Sequence, residues 1–334
     1  MDTEQIVLAS RPHGMPTQDN FGRQIIILPD LQDGEVLLRS LYISVDPYMR
    51  SRMNGKKTYI DPFEVNQPIT GSVVAEVTQS KSNDLHPGDK VIGMLPWATY
   101  SIARADTVRK IPDNPALPPS YYLGVVGMPG LTAYVGLILI CEPQPGETVV
   151  VSGAAGAVGL VVGQIAKIIG CRAVGITGSD EKARLLKDEY GFDAAINYKA
   201  VSDLSQAVEQ ACPKGVDCYF DNVGGDITDA VMQHINFNAR IAICGQIALY
   251  NEVNLSTGIR LLPYILSKSA LMRGFIVGNY RKYFPEALNQ LMGWVEEGKI
   301  KYTETVINGF DRLPDAFIGL FTGKNTGKMI VKVA

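Results

Sequence analysis

The segment Val149-Val-Val-Ser-Gly-Ala-Ala-Gly-Ala-Val-Gly-Leu-Val-Val-Gly163 sets Gly153, Gly156 and Gly159 between a β-branched run and an apolar stretch. Glycines at that spacing, after a strand and at a helix start, let the main chain approach a pyrophosphate. The free N–H groups and the dipole of the helix favour its charge. The candidate contacts are Gly153, Gly156, Ala157, Val158 and Gly159. A glycine-rich helix start packed on its sheet would read similarly, but strand, glycines, helix and following strand stand in register here. Which dinucleotide fits depends on the next strand, Ala173 to Thr177, which ends in Gly178-Ser179. A carboxylate about 20 residues past the glycines usually holds a free ribose 2′-hydroxyl. Small donors, an open helix start and Lys182 one turn into the helix suit a phosphate instead, which favours NADP(H). Asp180 keeps NAD(H) open as a ribose ligand, although helix capping fits it better.

These residues need a scaffold. From about Tyr121, apolar strands alternate with amphipathic helices: strand 148–152, helix 157–169, strand 173–177, helix 180–189, strand 217–221, helix 227–236 and strand 240–245. Such alternation predicts parallel strands with crossover helices, a doubly wound α/β sheet. A further helix holds Pro285 in its first turn, sets Leu288, Leu291, Met292 and Val295 on one face, and stops before Gly298. The first 120 residues instead carry short strand-like runs, such as 24–28, 35–39, 72–77 and 90–93, between turn clusters. A run at 301–306, a short helix near 312–321 and a strand at 328–333 close the chain.

A chain of 334 residues suggests two domains. With 46% hydrophobic and 19% charged residues and a formal charge of -3, it has no polyanion-binding bias, so nucleic acid is not an expected partner. No apolar run approaches the ~18 residues of a membrane span, and the N-terminus lacks a basic region followed by an apolar one. The five cysteines have no paired spacing. A cytoplasmic protein with reduced, mostly buried thiols is expected.

Several segments together resemble the medium-chain dehydrogenase/reductase superfamily, in its zinc-free branch of prostaglandin reductases and alkenal or enone double-bond reductases. They are Ser44-Val-Asp-Pro-Tyr-Met-Arg50, Gly127-Met-Pro-Gly-Leu-Thr-Ala-Tyr134, the glycine segment, Gly178-Ser-Asp-Glu-Lys182, Asn197-Tyr-Lys199, Tyr219-Phe-Asp-Asn-Val-Gly-Gly225, Ile243-Cys-Gly245, Arg273-Gly-Phe-Ile-Val277 and Asn325-Thr-Gly-Lys-Met329. The likeness spans nearly the whole chain. It implies a β-rich GroES-like substrate domain from residues 1–120 and 300–334, a Rossmann NADP(H)-binding domain over 121–299, and a site in the cleft between them.

By position, the resemblance implies that Lys182 and Tyr198 meet the 2′-phosphate of NADPH, with Ser179 as a small donor beside Gly178. Asn222 holds the ribose region, the main chain around Phe275 and Val277 the nicotinamide carboxamide, and Asn325 closes over the cofactor. Thr132, Cys244 and Gly245 complete the cofactor set. Tyr250 matches the tyrosine that hydrogen-bonds the substrate carbonyl or enolate, and Tyr48 lines the substrate cleft. From sequence alone, Tyr198 also reads as a strand-end tyrosine, Asn222 as a turn former and Tyr48 as a core aromatic. A homodimer joined near Arg273 to Val277 is a further implication.

Zinc relatives in the superfamily carry Gly-His-Glu where this chain reads Thr70-Gly-Ser72. The first 140 residues hold no cysteine and only His13 and His86, too few ligands for a catalytic zinc. No metal is expected. Without a Lewis acid, conjugate reduction asks less of the protein than ketone reduction, because charge spreads onto an enolate oxygen that a tyrosine can hydrogen-bond. The expected reaction is NADPH-dependent saturation of the C=C bond of an enone or enal. Quinone reduction and non-catalytic NADPH binding are the alternatives. Substrate range falls to the loops 52–63 and 261–267.

Overall fold

A computed structural model describes residues 1–254 and 256–333. It divides into two compact units, Gly124–Thr303 and Met1–Leu123 with Glu304–Ala334.

In the first of these, every residue of the strand Thr148–Ser152 is buried. A parallel strand covered on both faces reads as a continuous apolar run, which is why its sequence does not alternate. Six strands lie in the order Ala194–Asn197, Arg172–Thr177, Thr148–Ser152, Val216–Asp221, Ile235–Ile243, Leu271–Gly274, and all their pairings are parallel. That is the doubly wound order in which the winding reverses between Thr148–Ser152 and Val216–Asp221, so the C-terminal ends of these two strands flank a crevice. The helix Gly159–Ile169 packs on the sheet and buries Leu160, Val161, Val162, Ile165 and Ala166. Gly170, at φ 94°, ends it in the left-handed region that glycine adopts without strain. The helix Phe284–Glu296 buries Ala287 and Leu291.

Several boundaries differ from the sequence reading, three of them near the strand ends and the loops expected around the site. The helix expected from 157 begins at Gly159, because 153–158 turn before it. The helix expected over 227–236 is Gly225–Met232, and the next strand starts at Ile235. There Asn236-Phe-Asn238 looks like a turn, yet a register shift opposite Val216 and Cys218, with Asn238 at φ 59°, absorbs the polar residues into the strand. The segment 261–267, expected as a loop, holds a helix at Leu262–Ser267 with Pro263 in its first turn.

The other unit is β-rich. Its main sheet runs Glu304–Asn308, Lys328–Lys332, Glu35–Ser44, Thr70–Ser80, Lys90–Pro96, Arg109–Lys110, with Tyr100–Arg104 also paired to Glu35–Ser44. A hairpin of Asp2–Leu8 and Phe21–Ile27 forms a second, two-stranded sheet, and Ile6 and Leu8 pack into this unit's core. The C-terminal strand thus completes a sheet begun by the N-terminal residues. Trp97 and Phe317 meet edge to face, 6.2 Å apart, in its core.

Candidate active site

The glycine loop starts where the strand Thr148–Ser152 ends. Gly153 takes φ 61°, and Gly156 N–H closes the turn on Gly153 O at 2.9 Å. Ala154 N–H donates to Ile176 O at 3.1 Å, which ties the loop to the neighbouring strand. A Cβ on Gly159 would stand 2.4 Å from Gly153 O and 2.7 Å from Ala154 Cα, so only glycine lets the helix start so close to the loop. Among the described residues, the N–H groups of Ala157, Val158 and Gly159 donate to no backbone carbonyl. Amides at a helix start on a small-residue cradle fit a pyrophosphate.

Across the crevice, the strand Val216–Asp221 delivers a carboxylate with no solvent exposure. Asp221 Oδ1 accepts from Ser152 Oγ at 2.9 Å, Tyr219 OH at 2.9 Å, and the N–H groups of Val223 and Gly224 at 3.0 Å. Its Oδ2 accepts from Thr228 Oγ1 at 2.6 Å and Gln246 Nε2 at 3.0 Å. A buried charge is tolerated when its lone pairs are filled in this way. The same Ser152 receives Asn222 N–H on its hydroxyl and Asn222 Nδ2 on its carbonyl, both at 2.8 Å. One buried acid therefore braces the glycine loop, Asn222 and the turn carrying Gln246. Asp221→Asn turns an amide donor toward some of those N–H groups, and thermal denaturation should show a loss of about 2 kcal/mol. A melting temperature equal to the parent's would contradict this bracing role.

At the end of the strand Arg172–Thr177, Ser179 is the N-cap of the helix Asp180–Asp188, its Oγ accepting from Lys182 N–H at 3.3 Å. This corrects the capping role expected of Asp180. Asp180 sits in the first turn, and its Oδ1 accepts from Asn197 Nδ2 at 2.9 Å. Ser179 keeps its own hydroxyl proton to donate. Lys182 is half-buried, and burial lowers its pKa from the usual lysine value. Tyr198 is exposed by 37%, and its ring lies against Gly178, where a Cβ would be 3.3 Å from Cε1.

A cavity of about 1040 Å³ opens beside the strand ends at Ile243 and Gly274. Cys244, Gly245, Tyr250 and Phe275 line it, with Gln246, Arg273, Asn279 and Tyr280. Val277 starts the next helical turn and is not part of the lining, and neither are Thr132, the glycine loop, Lys182 or Tyr198. Tyr250 follows the turn Ile247–Leu249. Its hydroxyl oxygen accepts Gln246 N–H at 3.4 Å, and a Cβ on Gly245 would come within 3.3 Å of that oxygen. Burial raises its pKa above the ordinary phenol value, so the group stays a neutral donor through neutral pH. Phe275 meets Phe220 and Tyr280 edge to face, at 6.2 and 6.5 Å. Thr132 spends its hydroxyl proton on Met128 O at 2.7 Å.

Sequence reasoning missed Gln246, Asn279 and Tyr280. Gln246 directly follows Ile243-Cys-Gly245, so extending that segment by one residue would have included it. Asn279 and Tyr280 carried no signal of their own.

Tyr48 and Asn325 belong to the β-rich unit. Tyr48 packs half-buried on that unit's core, and desolvation raises its pKa well above the phenol value. Nearby, Lys328 Nζ, 2% exposed, donates to Val45 O at 2.8 Å, Asp46 Oδ1 at 3.0 Å and Met329 O at 3.0 Å. All three ammonium protons are satisfied, which anchors the Asp46-Pro-Tyr48 bend to the C-terminal strand. Asn325 Nδ2 donates to Gly327 O at 2.9 Å.

Among the described residues, no group of three or more His, Cys, Asp or Glu is placed to hold a metal ion. No helix of the described residues is long and apolar enough to cross a membrane.

Comparison with known proteins fits this geometry. Residues 4–111 match the family described as "N-terminal domain of oxidoreductase". Residues 157–293 match the one described as "Zinc-binding dehydrogenase". Prostaglandin reductase 1 of Bos taurus is 45% identical over 96% of this chain and 95% of its own length. The 2-alkenal reductase (NADP(+)-dependent) of Nicotiana tabacum is 42% identical over 100% and 98%. CurA from Vibrio vulnificus, solved in complex with NADPH, superposes with a TM-score of 0.94 at 42% identity, covering 99% of each chain. The chain therefore belongs to the medium-chain dehydrogenase/reductase superfamily of oxidoreductases, in the branch that holds prostaglandin reductase 1 and 2-alkenal reductase.

Proposed function

We propose that this NADP(H)-dependent oxidoreductase saturates the C=C bond of α,β-unsaturated aldehydes or ketones. Hydride goes to the β-carbon, and Tyr250 donates a hydrogen bond to the carbonyl oxygen on which enolate charge develops. The observation that carries this reading is the Tyr250 hydroxyl. Its oxygen is engaged by Gln246 N–H, its proton is its own to donate, and it lines the cavity with Gly245 and Phe275. The names of the relatives, an NADP-dependent 2-alkenal reductase and a prostaglandin reductase, support the same chemistry.

The chain's own residues divide the work. Gly153, Gly156, Ala157, Val158 and Gly159 hold the pyrophosphate; Ser179, Lys182 and Tyr198 hold the 2′-phosphate beside Gly178; Asn222 holds the ribose region. Thr132, Cys244, Gly245, Phe275 and Val277 bound the nicotinamide end, and Asn325 closes over the cofactor. When bound, the nicotinamide supplies the hydride. The protein supplies position and a neutral donor aimed at developing charge. Tyr48 lines the substrate side, and water or a tyrosine delivers a proton to the α-carbon of the enolate.

We further assign this chain to a homodimer joined through the sheet-edge strand Leu271–Gly274, where Leu271 is 52% exposed and the adjacent Leu262 and Leu266 are 77% and 82% exposed. Light scattering that returns a monomer would contradict this. A cytoplasmic setting agrees with the five unpaired cysteines.

The direct test follows NADPH oxidation by absorbance with 3-nonen-2-one, with a quinone, and with neither. Oxidation with the enone supports the reading. Oxidation with the quinone alone, or tight binding of NADPH that neither acceptor oxidises, contradicts it.

An enzyme that handles soft electrophiles must also survive them. Burial pushes the thiols up to about 11 at Cys171 and about 12 at Cys212 and Cys244. Only the thiolate attacks an enone, and that form gains population only as pH rises toward those values. Mass spectrometry after hours in excess enone at pH 7 should show unmodified protein, with adducts growing at strongly alkaline pH. Rapid alkylation at neutral pH would refute this.

A further inference from the structure

The end of the strand Arg172–Thr177 is walled by the residues that follow the strand Ala194–Asn197. Tyr198 N–H donates to Thr177 O at 3.0 Å, and Lys199 N–H donates to Asn197 Oδ1 at 3.1 Å. These two bonds fix where both side chains leave the backbone. A Cβ on Gly178 would lie 3.3 Å from Tyr198 Cε1 and 3.5 Å from Lys199 Cε. The lysine arm and the tyrosine ring therefore crowd the same glycine, with Lys199 Nζ 5.7 Å from the ring centroid. Lys182, one turn into the helix capped by Ser179, shares this corner. After burial, the charge of Lys199 is the next cause that lowers the Lys182 pKa, which means the two ammonium groups feel one another. Of the carboxylates in that first turn, Asp180 is taken up by Asn197 Nδ2, and the exposed Glu181 offsets the repulsion in part, its pull on Lys182 ranking below the push of Lys199. Two like charges brought to one surface repel in the free protein. A phosphate monoester, carrying close to two negative charges, relieves that repulsion and uses both.

We propose that Lys199 is a second cationic ligand of the cofactor's 2′-phosphate, alongside Lys182, and that it helps set the preference for NADP(H) over NAD(H). The inference rests on the reading of Lys182 and Tyr198 as the 2′-phosphate end. It requires no change in the chemistry at Tyr250.

Equilibrium titration by calorimetry tests it, with NADPH, NADH, 2′,5′-ADP and 5′-AMP as ligands and no substrate present. Lys199 is exposed and lies outside the core, so Lys199→Gln should fold like the parent. That variant should weaken NADPH and 2′,5′-ADP about tenfold, leave NADH and 5′-AMP within twofold, and flatten the salt dependence of NADPH binding. Lys199→Arg should recover most of the loss. Unchanged NADPH affinity in Lys199→Gln, or an equal loss for NADH, overturns the role of Lys199. If Lys182→Gln still loses NADPH preference in that case, the 2′-phosphate reading stands without Lys199. A parent protein that binds NADH as tightly as NADPH overturns both.

Discussion

Tyr250→Phe is expected to lower kcat for an enone about 100-fold while NADPH binds within about threefold of the parent. The substitution removes one oxygen and its proton and keeps the ring that lines the cavity beside Phe275 and Gly245. The hydroxyl accepts a 3.4 Å hydrogen bond from Gln246 N–H, too long for that bond to anchor the turn, so the backbone should hold. What disappears is the donor to the oxygen that becomes negative. Such a donor acts mostly on the transition state, so the loss should fall on kcat rather than on KM. Burial raises the Tyr250 pKa, and the sign follows: donation is intact below the ordinary phenol value and is lost only as pH rises through the raised one. Between about pH 6 and 9 the rate should therefore show no titration from this group. Parent-like kcat in the variant would remove Tyr250 from the mechanism.

Gly159→Ala should weaken NADPH binding at least about 100-fold, the other large effect. The added methyl would stand 2.4 Å from Gly153 O and 2.7 Å from Ala154 Cα. Both are backbone atoms of the loop, with no flexible side chain to give way. The helix start must back off, and the amides of Ala157, Val158 and Gly159 move with it. Gly293 in the helix Phe284–Glu296 is the control, since a Cβ there meets nothing within 4 Å. Gly293→Ala should leave binding unchanged and add up to about 1 kcal/mol of stability from helix propensity. NADPH titration of the two folded variants decides. Equal affinity in both would show that the close approach at Gly159 does not shape the cofactor cradle.

The parts legible in the sequence are those whose cause is local. The run Thr148–Ser152 is apolar throughout because its strand is covered on both faces, and Gly153, Gly156 and Gly159 are small because backbones meet there. Those residues point to a dinucleotide, and the alternation of strands and helices that follows them to a doubly wound sheet. What stayed hidden depends on residues distant in sequence. Asp221 looks like any strand-end acid, yet its partners come from Ser152, Tyr219, Thr228 and Gln246 on different elements. Lys328 reads as a surface lysine at a strand start, but is buried because Asp46 and two carbonyls from distant and adjacent positions close around it. Asp180 reads as the cap in sequence because capping propensity does not separate it from Ser179 one residue earlier. Tyr250 was singled out by resemblance, since nothing in its spacing distinguishes it among 15 tyrosines.

The central claim is conjugate hydride transfer, and the product of one turnover with NADPH deuterated at the transferable C4 position tests it most directly. With 3-nonen-2-one, proton and deuterium NMR should show the saturated ketone with its label on the β-carbon. An allylic alcohol with the label on the carbinol carbon would contradict the account, because hydride would then have gone to the carbonyl.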